Sequence, residues 1–192
     1  MNITKLFSLF SLCAFLTTAP VCVAQDSTET SETTTEKNAD KKKKQPASPV
    51  VKAVKKMKKV KGRLNEKADY FIYLFSASWC GPCCKEMPEI VEAHKDMKKD
   101  GRVDIILMGK DESPAGVKNF IKEFNMKFYA VMASDKNARK VPGFSDPSGI
   151  PNCIVVDRYG RVITSGHPGG IIPNWQAVTV DKGIPEPPAE DK

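Results

Sequence analysis

The chain of 192 residues lacks a long apolar run and has few cysteines. Its longest apolar stretch, residues 6–16, is shorter than the roughly 20 residues that a membrane-spanning helix needs. Beyond residue 24 only four cysteines remain, too few for a small domain held together by disulfides. Hydrophobic residues make up 41% of the chain, which is near the low side for globular proteins. The deficit of hydrophobic residues lies in the polar residues 25–64. These deficits predict one compact domain preceded by a polar leader.

The first 24 residues have the pattern of an export signal. Lys5 precedes the apolar stretch, and a region of small residues ends at Ala24. We therefore expect residues 1–24 to be a signal peptide that is cleaved after Ala24, which leaves a periplasmic or secreted protein. The alternative is an uncleaved N-terminus that anchors the chain to a membrane.

Residues 25–64 are predicted to be a polar, lysine-rich linker. The net charge of the chain is +7, and the excess of positive charge lies between Lys41 and Lys67. This segment is predicted to be a solvated tether, or else to contact an anionic surface. Apolar residues within it recur every three or four positions, which predicts a basic amphipathic helix from Val50 to Leu64.

Strand and helix patterns alternate from residue 65 onward. Continuous apolar runs predict buried strands, helical periodicity follows them, and a turn at residues 157–161 predicts a closing hairpin. The alternation predicts an α/β domain over residues 65–170, with a central mixed β-sheet flanked by helices. Residues 171–192 are proline-rich and are predicted to be a mostly irregular tail.

Two cysteines, Cys80 and Cys83, lie where a buried strand is followed by a helix. A cysteine at a helix N-terminus is stabilised as a thiolate by unpaired backbone N–H groups and the helix dipole. Cys80 is therefore predicted to be the nucleophile that attacks a disulfide, and Cys83, one turn later, to resolve the mixed disulfide. Gly81 and Pro82 set the geometry between the two sulfur atoms.

The segment that runs from Ser76 through Trp79 and Cys80 to Cys83 resembles the active-site region of the thioredoxin-like family. Gly149-Ile150-Pro151-Asn152 resembles the loop in which that family places a cis-proline opposite the cysteines. The resemblance implies a thioredoxin-like fold, with Pro151 as the cis-proline and the Ile150 backbone pairing with substrate. Trp79 is expected to cover one side of the site, although a role in the core is the ordinary alternative.

The resemblance extends over about residues 65–166 and carries two departures from the simplest family members. The long separation of Cys83 and Pro151 implies an inserted strand–helix unit, as in exported thioredoxin-like reductases and in tryparedoxins and nucleoredoxins. Export favours the first branch. Leu74 occupies the place of the family's buried acid, so proton transfer would use another group, either Glu86 or solvent.

Two further cysteines and two histidines are more ambiguous. Cys84 is predicted to be a small apolar helix residue, or else an accessory thiol that competes with Cys83. Cys153 lies two residues after Pro151 and is predicted to be a buried inert thiol, with a place near the site as the alternative. His94 is predicted to be a helix residue at the surface or at the boundary between surface and core, and His167 has no evident partner.

The sequence therefore predicts a monomeric thiol–disulfide oxidoreductase that needs no bound cofactor or metal. Its partners would be protein disulfides and a membrane or soluble thiol electron donor, and reduction is favoured over oxidation because Gly81-Pro82 resembles reducing family members. One alternative is a copper chaperone that uses Cys80, Cys84 and His167, since thiolates and imidazole suit copper. The other is a docking module whose basic leader is the functional part.

Overall fold

The structure is a computed structural model that describes residues 47–183 and 185–188. The predicted signal peptide and the leader up to residue 46 lie outside the described residues. Within the described ranges, no helix combines the length and the apolar character needed to cross a bilayer.

The described part is built on one mixed sheet of six strands. The strands are β1 Lys59–Lys61, β2 Tyr70–Ser76, β3 Val103–Gly109, β4 Tyr129–Met132, β5 Asn152–Asp157 and β6 Val162–Gly166. They lie in the order β1-β4-β3-β2-β5-β6, in which β2, β3 and β4 run parallel and the other neighbours pair antiparallel. The predicted α/β class, the central mixed sheet and the β5–β6 hairpin are confirmed.

Helices cover both faces of this sheet. They are α1 Pro49–Val54, α2 Gly81–Asp100, α3 Pro114–Glu123, α4 Pro168–Ile171 and α5 Trp175–Val178, with 3₁₀ turns at Ala138–Lys140, Ile172–Asn174 and Val180–Lys182. Between Cys83 and Pro151 the chain forms most of α2, then β3, α3, β4 and the first of these 3₁₀ turns.

Strand β2 lies at the centre because its sequence is apolar on both sides. Side chains alternate across a strand, so Ile72 and Leu74 join the core layer beneath α2 and α3, whereas Phe71, Tyr73 and Phe75 join the layer that contains α1. All seven residues of β2 are buried. The C-terminal end of this rigid strand leads directly to the cysteine pair.

The predicted helix from Val50 to Leu64 is wrong in extent, and so is the boundary at residue 65. Helix α1 ends at Val54, and the chain then turns and forms β1 on the edge of the sheet beside β4. Val50 and Val54 are fully buried, as Met57 nearly is. The same apolar spacing is thus satisfied by a short helix, a turn and a strand, because pairing with β4 provides backbone hydrogen bonds that a longer helix would have provided itself.

The prediction of a mostly irregular tail after residue 170 is also wrong. Ile172 and Trp175 are buried in the core layer under α2, and the hydroxyl of Thr179 donates to the carbonyl of Trp175 at 2.5 Å. The prolines do not prevent this, because Pro168 and Pro173 lie in first turns, where no backbone N–H is needed.

His94 is buried, so the prediction of a surface or boundary residue is wrong. Its Nε2 lies 3.0 Å from Asp104 Oδ1, and its ring packs edge-on against Phe128. The second oxygen of Asp104 accepts the backbone N–H of Asn65 at 2.7 Å. The histidine therefore ties α2 to β3 and to the segment that leads into β2.

Candidate active site

The loop between β2 and α2 presents Cys80 at the start of a long helix. Cys80 is the N-cap residue of α2, and its Sγ accepts the backbone N–H of Cys83 at 3.3 Å. Pro82 lies in the first turn, where its missing N–H costs nothing, and that turn contains no acidic residue. Free backbone N–H groups and an uncompensated helix dipole therefore favour a thiolate at this position.

The two predicted redox sulfurs are joined. Cys80 and Cys83 form a disulfide with their Cα atoms 5.2 Å apart. Cys80 is 5% exposed and Cys83 1% exposed, and both pack with Ala77 and Ile150 in a small cluster of their own. Substrate thus has access to Cys80 more readily than to Cys83, which fits the order of attack and resolution expected from the sequence.

The loop before β5 lies against this disulfide. The Ile150–Pro151 peptide bond is cis, the isomer that the family resemblance implies. The carbonyl oxygen of Ile150 lies 3.8 Å from Cys80 Sγ. A reduced Cys80 would have an acceptor there for its S–H, whereas the oxidised sulfur has no proton to donate.

Trp79 stands out from the surface beside the cysteines. Its side chain is 66% exposed, the largest exposure among the exposed large hydrophobic residues of the described chain. The alternative of a core role for Trp79 is therefore wrong. Gly81 and Pro82 are exposed next to it, so the entrance to the disulfide is apolar and uncharged.

A carboxylate that the sequence analysis missed holds the loop before Trp79. Asp111, just after β3, is 7% exposed, and its Oδ1 accepts both the backbone N–H of Ser78 at 3.1 Å and the hydroxyl of Ser78 at 2.5 Å. The two residues are 33 positions apart, and no local pattern signals their contact. The thiol of Cys84 donates to the carbonyl of Ser78 at 3.4 Å.

Cys153 lies in the core layer beneath α2 and is fully buried. It is the register partner of Leu74, the residue in place of the family's buried acid. Burial, together with the nearby Glu86 carboxylate, raises the pKa of the Cys153 thiol to about 12. Cys153 therefore stays protonated at neutral pH, as a buried inert thiol would.

Glu86 lies one turn after Cys83 on α2. Its Oε1 is 3.1 Å from His167 Nε2, and its Oε2 is buried without a hydrogen-bond partner in the described structure. His167 therefore has a partner that the sequence did not reveal. No group of three or more histidine, cysteine or acidic side chains in the described ranges is placed to hold a metal ion, so the copper set of Cys80, Cys84 and His167 is not assembled.

A strongly basic surface lies at the opposite end of α2. Two adjoining clefts of about 950 and 490 Å³ meet at Gly62, Arg63 and Lys98. Among the residues described as lining them, Glu66 is the one carboxylate, and it is bound to Lys55 at 2.9 Å. We call this region the basic surface; its cationic residues are Lys55, Lys59, Lys61, Arg63, Lys67, Lys98, Lys122 and Lys127.

Comparison with known proteins finds relatives described as thioredoxin-like. A family model described as thioredoxin-like matches residues 68–162. The chain is 37% identical over 89 residues to the thiol-disulfide oxidoreductase ResA of Bacillus cereus, a match that covers 46% of this chain and 49% of that protein. The chain thus spans about half the length of the curated relatives it matches.

Solved structures give a matching result. A thiol:disulfide interchange protein of the thioredoxin family from Chlorobium tepidum superposes with a TM-score of 0.50 at 26% identity, covering 62% of this chain and 82% of that one. Tryparedoxin II from C. fasciculata superposes with a TM-score of 0.51 at 24% identity, covering 71% and 92%. The second likeness shows the fold alone.

Proposed function

Because the chain belongs to the thioredoxin-like family through residues 68–162, we propose that it is a thiol–disulfide oxidoreductase that reduces protein disulfides. The observation that carries this proposal is the Cys80–Cys83 disulfide at the start of α2, with the carbonyl of Ile150 beside it. The protein needs no bound cofactor for this reaction, because both electrons are held by its own sulfurs.

The cycle begins with the reduced protein. The Cys80 thiolate attacks one sulfur of a substrate disulfide, a Cys80–substrate disulfide forms, and the other substrate sulfur leaves as a thiolate that takes up a proton. Cys83 then loses its proton and attacks Cys80 Sγ, which releases the second substrate thiol and closes the Cys80–Cys83 disulfide. A thiol donor, soluble or in a membrane, returns two electrons and two protons to the pair.

The substrate is held by the surface around the disulfide. We propose that Trp79, Gly81 and Pro82 form its apolar entrance and that the backbone of Ile150, beside Pro151, pairs with an extended substrate segment. The exposure of Trp79 and the position of the Ile150 carbonyl support this arrangement.

Proton transfer to and from Cys83 is assigned to Glu86. Leu74 cannot carry a proton, whereas Glu86 lies one helical turn from Cys83 and is close enough to Cys153 to affect its pKa. The buried Oε2 of Glu86 without a hydrogen-bond partner is the side of this carboxyl that is free to take up a proton.

The same proposal places the protein outside the cytoplasm, either periplasmic or secreted, or held at a membrane by its N-terminus. The support is Lys5, the apolar residues 6–16 and the small residues up to Ala24. Expression with a C-terminal tag, followed by cell fractionation and N-terminal sequencing, tests this. A mature N-terminus at Gln25 supports cleavage, and a chain that keeps Met1 in the cytoplasm contradicts export.

We also propose that the basic surface contacts an anionic surface. Seven of its eight cationic side chains have no carboxylate within ion-pair distance in the described structure, so their charges are available to a partner. The predicted contact through residues 41–67 is thereby extended to Lys98 on α2 and to Lys122 near the end of α3.

Reduction of insulin by the purified protein, with dithiothreitol as donor, tests the redox proposal. Cys80→Ser is expected to reduce turnover to the uncatalysed rate, because Cys80 is the thiol at the N-cap position of α2 and Cys83 and Cys84 lie within the helix. Cys153→Ala removes a buried thiol and is the matched control, with turnover expected to remain. Turnover that survives Cys80→Ser would contradict the proposal.

A further inference from the structure

Three residues connect strand β3 to the start of α2 through a chain of hydrogen bonds. Asp111 accepts two bonds from Ser78, and the Ser78 carbonyl accepts the thiol of Cys84. The backbone of Gly116 lies close against Asp111, since a Cβ added at Gly116 would lie 3.0 Å from Asp111 Cβ and 3.1 Å from Oδ1. The carboxylate therefore fixes both Ser78 and, through it, the direction of the Cys84 sulfur.

The direction of that sulfur matters because Cys84 is a second possible partner for Cys80. The backbone N–H of Cys84 donates to the carbonyl of Cys80 at 3.0 Å, so the two residues lie one turn apart. A Cys84 thiolate that attacked Cys80 Sγ would form a Cys80–Cys84 disulfide and release the Cys83 thiolate, without net oxidation or reduction. This exchange would replace the Cys80–Cys83 disulfide of the site by a Cys80–Cys84 disulfide.

We propose that Asp111, acting through Ser78, is a positioning residue that keeps Cys84 out of the redox cycle and so selects Cys83 as the partner of Cys80. The inference rests on the proposed function and adds a determinant of disulfide pairing to it. The S–H···O bond to Ser78 keeps the Cys84 sulfur directed at the loop and its proton in place. Cys84 then acts as a packed helix residue and not as a competing nucleophile.

Electrostatics acts in the same direction. Burial first, then the carboxylates of Glu123 and Asp111, raise the pKa of the Cys84 thiol. Asp111 Oδ2 is buried without a hydrogen-bond partner in the part of the chain that the structure describes. A negative charge with an unpartnered oxygen next to Ser78 opposes the appearance of a second negative charge on Cys84.

The test measures which cysteine pairs with Cys80. In a Cys83→Ser background, Cys84 is the one remaining neighbour, and closure of Cys80–Cys84 is followed in glutathione buffer by alkylation and tandem mass spectrometry. Addition of Asp111→Ala is expected to speed formation of the Cys80–Cys84 disulfide by about tenfold. This is the factor that corresponds to the loss of one hydrogen bond to a charged group. Asp146→Ala in the same background removes an acid that binds Lys110 instead, and closure is expected to stay slow.

Two further variants separate the effect of the hydrogen bonds between Asp111 and Ser78 from the effect of the Asp111 charge. Asp111→Asn keeps an oxygen acceptor for Ser78 and removes the charge, so its effect should be smaller than that of Asp111→Ala. Ser78→Ala removes the hydroxyl bond alone and should also give a smaller increase. If Asp111→Ala does not fold by circular dichroism, these two variants decide the question, because each must still close faster than Cys83→Ser.

The inference is overturned if closure is equally fast with and without the Asp111 changes, or if Asp146→Ala accelerates it as much. The wild-type protein, assayed for insulin reduction in the same preparation, distinguishes the two levels of failure. A wild type without thiol exchange defeats the proposed function. A wild type that exchanges normally, with unchanged pairing in every variant, defeats only the role of Asp111.

Discussion

The two ends of helix α2 carry different chemistry. At its start, Cys80 and Cys83 lie among apolar groups, and the first turn contains no charged side chain of either sign before Lys85. Its last turn carries Lys98 and Lys99 and adjoins the basic surface. A helix of 20 residues is about 30 Å long, so the two surfaces share no side chain.

The helix dipole accounts for both arrangements. Backbone N–H groups at the start stabilise a thiolate, and backbone carbonyls at the end favour lysines. One element therefore presents a reactive sulfur in one direction and a positively charged surface in the other. We therefore expect a substitution at one end of α2 to impair the function of that end and to leave the function of the other end unchanged.

The largest effect is expected from Gly62→Ala in the basic surface. Gly62 has a φ of 84°, and an added Cβ would overlap the carbonyl of Phe128, so β1 must move away from β4. We expect a loss of about 3 kcal/mol in the free energy of unfolding, measured in urea. Gly101→Ala is the control, since its φ of 81° is equally unfavourable but nothing lies within 4 Å, and it should cost only about 1 kcal/mol. Equal losses in the two variants would show that β1 is not held against β4.

Glu86→Gln is expected to affect only the start of α2, where the cysteine pair lies; we call this the redox end. Without a carboxyl to exchange protons near Cys83, the rate of insulin reduction should fall by about 10²-fold. The free energy of unfolding should change little. Glu89→Gln, on an exposed position of the same helix, is the control and should retain the wild-type rate. A normal rate for Glu86→Gln would assign proton transfer to solvent.

Lys98→Glu is expected to affect the other end alone. Reversal of one charge near an anionic membrane is worth about 2 kcal/mol, or roughly 30-fold in affinity. Co-sedimentation with vesicles that contain phosphatidylglycerol measures this, and pure phosphatidylcholine vesicles should bind neither protein. Lys95→Glu is the control, because Lys95 already pairs with Glu92 and lines neither cleft. Insulin reduction should be unchanged, and a loss of activity would contradict the separation of the two ends.

The smallest effect concerns Cys153, the thiol that lies near the redox end but takes no part. Because its pKa is raised to about 12 in the folded state, the unfolded chain ionises first as pH rises. The contribution of the Cys153 thiol to the free energy of unfolding is complete below about pH 8. It should fall by about 1 kcal/mol by about pH 10, relative to Cys153→Ala. Urea unfolding of both proteins at the two pH values measures the difference, and parallel pH profiles would contradict the assigned pKa shift.

Sequence patterns predicted the features that depend on neighbouring residues. The apolar run of β2, the helix after Cys83 and the hairpin around residues 157–161 are local, and each was recognised from composition and period. The side-chain contacts around the cysteine pair join residues that are far apart in the sequence. The pairs Ser78–Asp111 and Glu86–His167 become neighbours only through the parallel packing of the strands and the return of the tail to α2.

The two main errors have one cause. In residues 50–64 and after residue 170, neither the helical spacing nor the proline content carries information about the sheet and core against which these segments pack. The edge of β4 made a strand of Lys59–Lys61, and the core layer beneath α2 buried Trp175 in a short helix. Tertiary burial outweighs intrinsic propensity where a segment is short.

The most direct test of the central claim is a redox titration of the purified protein in glutathione buffers, with alkylation and mass mapping of every cysteine. We expect one two-electron transition in which Cys80 and Cys83 change together, with a midpoint below the glutathione range of about −220 to −260 mV. Cys153 should remain unlabelled until the protein is unfolded. A transition that leaves Cys80 free, or that pairs it with a cysteine other than Cys83, would show that Cys80 and Cys83 are not the redox pair.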